Sequence, residues 1–351
     1  MALSLPAARR ILQNGLSGGA SFDVLAAIAH HGAFEDRDAA RDLLIRVLDR
    51  REQVPAPLQV MLQDLVREHG LFPYLRDIIE LRLADRLAYE AHRRTLAPAE
   101  DVVFHAEQAM VFERLLAGEN VVLSAPTSFG KSLVVDAILA IQDFRNAAVV
   151  VPTIALMDEC RRRLSRLRDK YKVITHSSQR LAERNLFVMT QERLLEVRNP
   201  PSMDFFVIDE FYKLDPDHSD DRANQLNIVL HQLLATGAQF YLLGPNITGL
   251  TEATGERLRA TFISTGYTTV ATDVERINVP NSELPDALAE TCSEVGPGTL
   301  VSVGRPSVFA RSPSGCSNEG SVADTTFKTL PTGLPRPITP TGSSAGRYAR
   351  V

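Results

Sequence analysis

The sequence predicts an α/β fold: a parallel sheet flanked by helices and preceded by an all-helical domain. Three observations carry this expectation. Short runs rich in valine and isoleucine alternate with amphipathic stretches between residues 101 and 250. These runs are almost continuously apolar, as strands covered on both faces must be. Before them, residues 1–98 carry only the helical apolar period.

In the N-terminal part, Ser21 is expected to cap a helix beginning at Phe22, and Gly32 to stop it. A second helix fits residues 37–50, where Leu43, Leu44, Val47 and Leu48 make one stripe. Further helices fit 57–69 and 74–94, punctuated by Gly70 and Pro73. The pair His30–His31 reads as a helix-end feature. After Pro98, strands are expected at 120–124, 147–151, 186–189, 205–208 and 239–243, with helices at 131–144, 154–169 and 223–236 between them. Beyond residue 250 the pattern weakens, though 267–279 and 298–303 can each supply a strand. Residues 311–351 are rich in Ser, Thr, Gly and Pro, have no apolar period, and are expected to be disordered. The expected domains are therefore 1–98 (helical), 99–262 (α/β), 263–310 (the start of a second α/β unit) and 311–351 (a tail).

Composition constrains the partners. The net charge of -5 gives no global attraction to phosphate backbones, so nucleic-acid binding requires a local basic strip. The three cysteines form no CxxC pair, which argues against a zinc site and a disulfide framework and fits a reducing cytoplasm. No apolar run reaches the roughly 20 residues that cross a bilayer, so no membrane partner is expected.

The chemistry sits in two places. Ala125-Pro126-Thr127-Ser128-Phe129-Gly130-Lys131-Ser132 follows an apolar strand and opens an apolar helix. Gly130 lets the backbone approach phosphate, and successive N–H groups with the helix N-terminus make an anion cradle. Lys131 is expected to reach the β- and γ-phosphates of ATP, and Ser132 to offer a hydroxyl to Mg²⁺. Asp209-Glu210 ends another strand. There Asp209 is expected to hold Mg²⁺ and Glu210 to orient the attacking water.

With these in place, the order and spacing resemble the first RecA-like domain of superfamily 2 DEAD/DEAH-box helicases, over residues 100–280. Phe104-x-x-x-Gln108 resembles the glutamine motif, which implies that Gln108 reads the adenine edge. Pro152-Thr153 and Thr190-x-x-Arg193 resemble the two segments that lie against the nucleic-acid backbone in that family. Gly244-Pro245-Asn246 stands where the family couples hydrolysis to strand movement. The resemblance implies Mg-ATP as cofactor, DNA or RNA as partner, another protein or subunit as a further partner, and a nucleic-acid-stimulated ATPase of the helicase type.

Two departures stand out: Tyr212 where the family has His or Asp, and Gly-Pro-Asn in place of Ser-Ala-Thr. In the family these segments touch, so the changes can be paired. Arg161, Arg162, Arg163, Arg166 and Arg168 form a basic helix face that either extends the phosphate track or is simply solvated. The Asp-rich segment 215–221 reads as a polar loop, because it lacks the glycine and glutamate of a calcium loop. The second RecA-like domain that would close the ATP site breaks off near residue 304, so a truncated or frameshifted helicase is expected, weak in unwinding alone. The alternatives are a binding scaffold that keeps the fold without the motor, and a phosphate-loop enzyme acting on a small substrate.

Overall fold

A computed structural model describes residues 3–75, 81–97, 100–214, 221–245, 247, 249–250, 255, 257–271, 273–277 and 323–327. The chain opens with helices α1 (Leu5–Asn14), α2 (Gly18–Phe34), α3 (Arg37–Leu48), α4 (Gln59–Glu68) and α5 (Leu83–His92). A short antiparallel hairpin follows, β1 (Arg93–Ala97) with β2 (Glu100–Val103). The helical expectation for this part holds, with corrections. Helix α2 begins at Gly18, so Ser21 lies inside it, buried. Nor does Gly32 stop it: a Cβ there would meet the His69 ring at 2.8 Å, so the glycine serves to seat α2 against that ring. Of the helix expected over 74–94, Tyr74 and Leu75 belong to a short 3-10 turn, α5 begins at Leu83, and the hairpin takes the end.

The α/β part comprises α6 (Ala106–Leu116), β3 (Asn120–Ser124), α7 (Lys131–Ile141), β4 (Asn146–Val150), α8 (Ile154–Leu164), β5 (Lys172–Ile174), β6 (Asn185–Met189), α9 (Gln191–Leu195), β7 (Phe205–Asp209), α10 (Asp221–Leu234), β8 (Gln239–Gly244) and β9 (Ala260–Ser264). Seven strands pair in parallel in the order β5-β6-β4-β7-β8-β3-β9. Alternate residues of each strand enter two different cores. Val121, Leu123, Ala147, Val149, Phe205, Val207 and Tyr241 face α6, α7, α8 and the N-terminal helices. Val122, Ala148, Val150, Phe206, Ile208, Phe240 and Leu242 face α10 through Leu226, Val229 and Leu233. Burying each valine, leucine, isoleucine or phenylalanine among them stabilises the fold by about 1.5–3 kcal/mol.

Strand β9 was not expected from the sequence, and it overruns the boundary set at 262. Its residues, ATFIS, are only partly buried at the sheet edge, so they lack the continuous apolar run of the central strands. Farther on, β10 (Asp273–Ile277) pairs antiparallel with β11 (Ala323–Phe327), which falls within the segment expected to be unstructured. The strand expected at 298–303, the polar loop 215–220 and the rest of 311–351 lie outside the described residues. Among the described residues, no helix is long and apolar enough to cross a membrane.

Candidate nucleotide-binding site

All seven parallel strands end on one side of the sheet, and the chemistry-bearing residues collect there. Strand β3 delivers Ala125–Ser132, and β7 delivers Asp209–Glu210 one strand away across β8. The loop start is tied to β8 by the Ala125 N–H, which donates to Gly244 O at 3.0 Å. Gly130 has φ 76, ψ 37, the left-handed conformation that a residue with a Cβ resists. A Cβ there would also lie 2.6 Å from Gln108 Nε2. That turn aims α7 so that its first residue is Lys131.

Lys131 is buried and folded back on its own loop: Nζ donates to Ala125 O at 2.8 Å and Pro126 O at 3.0 Å. Ser132 is exposed on the first turn of α7, as are Thr127 and the partly exposed Ser128 on the loop. Burial, then the neighbouring Glu210 charge, raise the Asp209 carboxyl, while Lys131 pulls it back down. Glu210 sits at φ 60, a left-handed backbone that costs about 1–3 kcal/mol for a non-glycine residue. It is held by its N–H to Asp209 Oδ1 at 3.0 Å, by the Lys213 N–H to its carbonyl, and by a hydrogen bond with the Tyr212 hydroxyl. The donor set fits Mg-ATP: a glycine-turned cradle, a lysine, an exposed hydroxyl and two carboxylates at one sheet edge.

The glutamine takes a different place from the one expected. Gln108 is buried in a capping box with His105, and its amide donates to Phe129 O at 2.9 Å and Gly130 O at 3.2 Å. An adenine contact therefore requires exchanging bonds that now brace the loop. Phe104, paired with it in the sequence, is wholly buried against Phe112. Its role here is core packing.

Sequence reasoning missed His105, the other clamp on this loop. His105 Nδ1 accepts from the Gln108 N–H, leaving Nε2 to donate to Phe129 O at 3.0 Å. A His-x-x-Gln box was hidden because the usual first residue is Ser or Thr. Tyr267 stacks on His105 at 4.4 Å and donates to His69 O at 2.8 Å, while the Arg41 guanidinium of α3 lies 4.0 Å above its ring. Thr269 donates to Ser128 O at 3.2 Å and accepts from the Tyr74 hydroxyl at 2.9 Å. The helical domain thus reaches the loop through residues 267–269.

The expected nucleic-acid contacts gather at the ends of adjacent strands β4 and β6, but only one faces outward. Thr153 is exposed, with Oγ1 capping α8 through the Leu156 N–H at 3.2 Å. Pro152 is buried and its carbonyl accepts from Arg222 at 2.6 Å. Thr190 is buried and hydrogen-bonds Glu192. Arg193 is half-buried and donates to Thr175 O at 3.0 Å. The basic face of α8 also divides. Arg163 and Arg166 turn inward onto the buried Asp136 of α7, and Arg163 also donates to Ser132 O at 2.8 Å. Both arginines therefore brace the helix that follows the loop; Arg161, Arg162 and Arg168 stay exposed.

The two departures meet in space. A Cβ on Gly244 would lie 3.3 Å from Tyr212 Cδ1, 3.6 Å from Phe211 Cδ1 and 3.0 Å from Ile247 Cδ1. Ile247 and the tyrosine thus occupy room that a serine at 244 would need. Pro245 follows at the strand end, partly exposed, and Asn246 lies outside the described residues.

The family comparison agrees with this layout, matching residues 105–244 to the DEAD/DEAH box helicase family. Residues 105–244 form a helicase-like RecA domain. Ahead of it, residues 4–86 match the family described as the Anti-bacteriophage protein B N-terminal domain. Anti-bacteriophage protein B of Escherichia coli (strain K12) is 42% identical over 253 residues, 69% of this chain and 34% of that protein. The chain therefore spans about a third of the length of this curated relative. Among solved structures, a DEAD box protein from the hyperthermophile Methanococcus jannaschii is similar at TM-score 0.38 and 17% identity, over 52% of this chain and 55% of that one. The DUF1998 helicase MrfA bound to DNA is similar at TM-score 0.37 and 16% identity, over 49% of this chain and 28% of that one.

Proposed function

We propose that this chain binds Mg-ATP at the helicase domain and hydrolyses it in response to DNA or RNA. The observation that carries the reading is the meeting of two strand ends: the Gly130–Lys131 turn after β3 and Asp209–Glu210 after β7, close enough for the Lys131 charge to act on Asp209. When bound, Mg²⁺ screens the phosphate charges and the developing charge on the transferred group. Lys131, released from the carbonyls of Ala125 and Pro126, binds the phosphates. Ser132 and Asp209 hold the metal, and Glu210, fixed by Tyr212, orients the water. Gln108 and His105 keep the loop in shape for that exchange. Thr153 is the outward-facing group of the four placed on the nucleic-acid side.

The likeness to Anti-bacteriophage protein B over 253 residues, with the family match at residues 4–86, supports a role in defence against phage. The decisive experiment measures ATP hydrolysis with and without single-stranded DNA or RNA. Turnover that rises with nucleic acid and disappears in Lys131→Ala is expected. Absence of turnover in both conditions favours the scaffold reading, and turnover indifferent to nucleic acid favours a small-substrate enzyme.

A further inference from the structure

Among the described residues, strand β5 forms the outer edge of the sheet and pairs with β6 alone. Beside it, the end of α8, the turn after it and residues 179–184 border an open groove of about 970 Å³. Six basic side chains line this groove, Arg161, Arg162, Arg168, Lys170, Lys172 and Arg184, against Asp169 and Glu183. In a chain of net charge -5, that concentration runs against the average. Some of these charges are already engaged. Arg184 pairs with Asp143, Arg161 pairs with Asp158 at 3.5 Å, and Lys170 donates to the Ala140 carbonyl at 2.9 Å. Arg168 and Lys172 are exposed and form no ion pair among the described residues. Arg162 donates a long bond, 3.3 Å, to the Asp158 carbonyl of its own helix.

We propose that this groove holds the sugar–phosphate backbone of single-stranded nucleic acid, carrying the path from Thr153 and Arg193 onward over the β5 edge. The proposal rests on the nucleic-acid-coupled reading above. Continuity supports it: Thr175 lines the groove, and its carbonyl holds Arg193. Helix α8, capped by Thr153, contributes Arg161 and Arg162. Recognition is of backbone and not of bases, because the aromatic residue among the lining, Tyr171, is buried and offers no stacking face. An acidic peptide adding as a strand fits less well, since β5 is only three residues long and offers little edge for main-chain pairing.

The test compares the full chain with Arg168→Glu/Lys172→Glu by anisotropy of labelled oligo-dT about 20 and about 8 nucleotides long, across a salt series. Retained thermal unfolding and unchanged basal ATPase show that these surface changes leave the fold intact. The longer oligonucleotide is expected to bind the variant about tenfold or more weakly, with a salt slope smaller by about 1.4, at ~0.7 per lost single-strand contact. The shorter one is expected to bind as before, and Arg168→Lys/Lys172→Arg is expected to restore the longer. Equal affinity and slope in variant and wild type overturn the groove while leaving the nucleic-acid reading standing. No binding of either oligonucleotide to wild type overturns both. A labelled poly-glutamate peptide lost in the charge-reversed variant, with oligonucleotide binding retained, reassigns the groove to an acidic protein.

Discussion

At Gly244 the lack of a side chain is what lets β8 lie against the turn after β7, where Tyr212 bonds Glu210. Overpacking of this sort costs about 1–3 kcal/mol. Gly244→Ser alone is therefore expected to destabilise by about 1–2 kcal/mol in urea unfolding. Combined with Tyr212→His, it should cost less than the sum by at least ~0.5 kcal/mol. Strict additivity would show that the two departures are independent. The histidines give a second residue-scale prediction. Burial, with a smaller push from Arg41, lowers His105 to about 4; burial, then Arg37 and Arg41, lowers His69 to about 4. The unfolded chain takes up protons near pH 6.5 that the folded chain refuses until about pH 4. Stability from this source is full above pH 6.5 and lost as pH falls through that window. By pH 5 the loss should reach roughly 2 kcal/mol for His105 and somewhat less for His69. Urea midpoints measured from pH 7 to pH 5 check it, and His69→Gln should flatten the slope while leaving part of it.

Elements differ in how much of themselves they wrote into the sequence. The central strands β3, β4, β6, β7 and β8 were legible within about a residue, because burial on both faces forces an apolar run that nothing else in the chain imitates. Edge strand β9 and the hairpin of β1 and β2 were not, since partial burial leaves mixed residues with no distinct period. The phosphate loop and Asp209–Glu210 were legible as local motifs. Gln108 lies in α6, and Thr190 and Arg193 follow β6, but which way each side chain turns depends on partners far along the chain, such as Phe129 and Thr175. The arginines of α8 show the same limit: the sequence marks five charges, and only the fold says that Arg163 and Arg166 belong to Asp136. Asp136 is buried with both guanidinium groups bound to it, so removing it takes the carboxylate from Arg163 and leaves Arg166 with Glu100 alone. Asp136→Ala is expected to cost about 3–5 kcal/mol, read as a lower urea midpoint. Because Arg163 also holds Ser132 O, ATP affinity should fall in the same variant. Arg161→Ala, exposed on the same helix, should change neither by more than about 0.5 kcal/mol.

On the scale of the whole molecule, the helical domain and the helicase domain share one continuous apolar core that runs from Ala8 and Leu44 to Val121 and Leu243. Their polar junction is narrow by comparison. Among the described residues it includes Tyr267 between Arg41 and His105, Thr269 between Tyr74 and Ser128, and the Ala106 N–H on Gly70 O at 3.0 Å. A shared core predicts that both domains unfold together, in one calorimetric transition with matching calorimetric and van't Hoff enthalpies. Two transitions in the wild type would falsify that view of the junction. Tyr267→Ala removes a buried ring, the stack on His105 and the bond to His69 at once. A loss of about 3–5 kcal/mol is expected, the usual cost of deleting a buried aromatic ring. The more telling readout is ATP binding. His105 fixes the carbonyl of Phe129 and Thr269 fixes that of Ser128, so loosening residues 267–269 should weaken nucleotide affinity even below the unfolding temperature. Tyr267→Phe keeps the stack and loses only the hydroxyl. It should retain wild-type affinity while unfolding somewhat earlier. Equal ATP affinity in both variants would mean that the helical domain supports the helicase domain mechanically without touching its nucleotide loop.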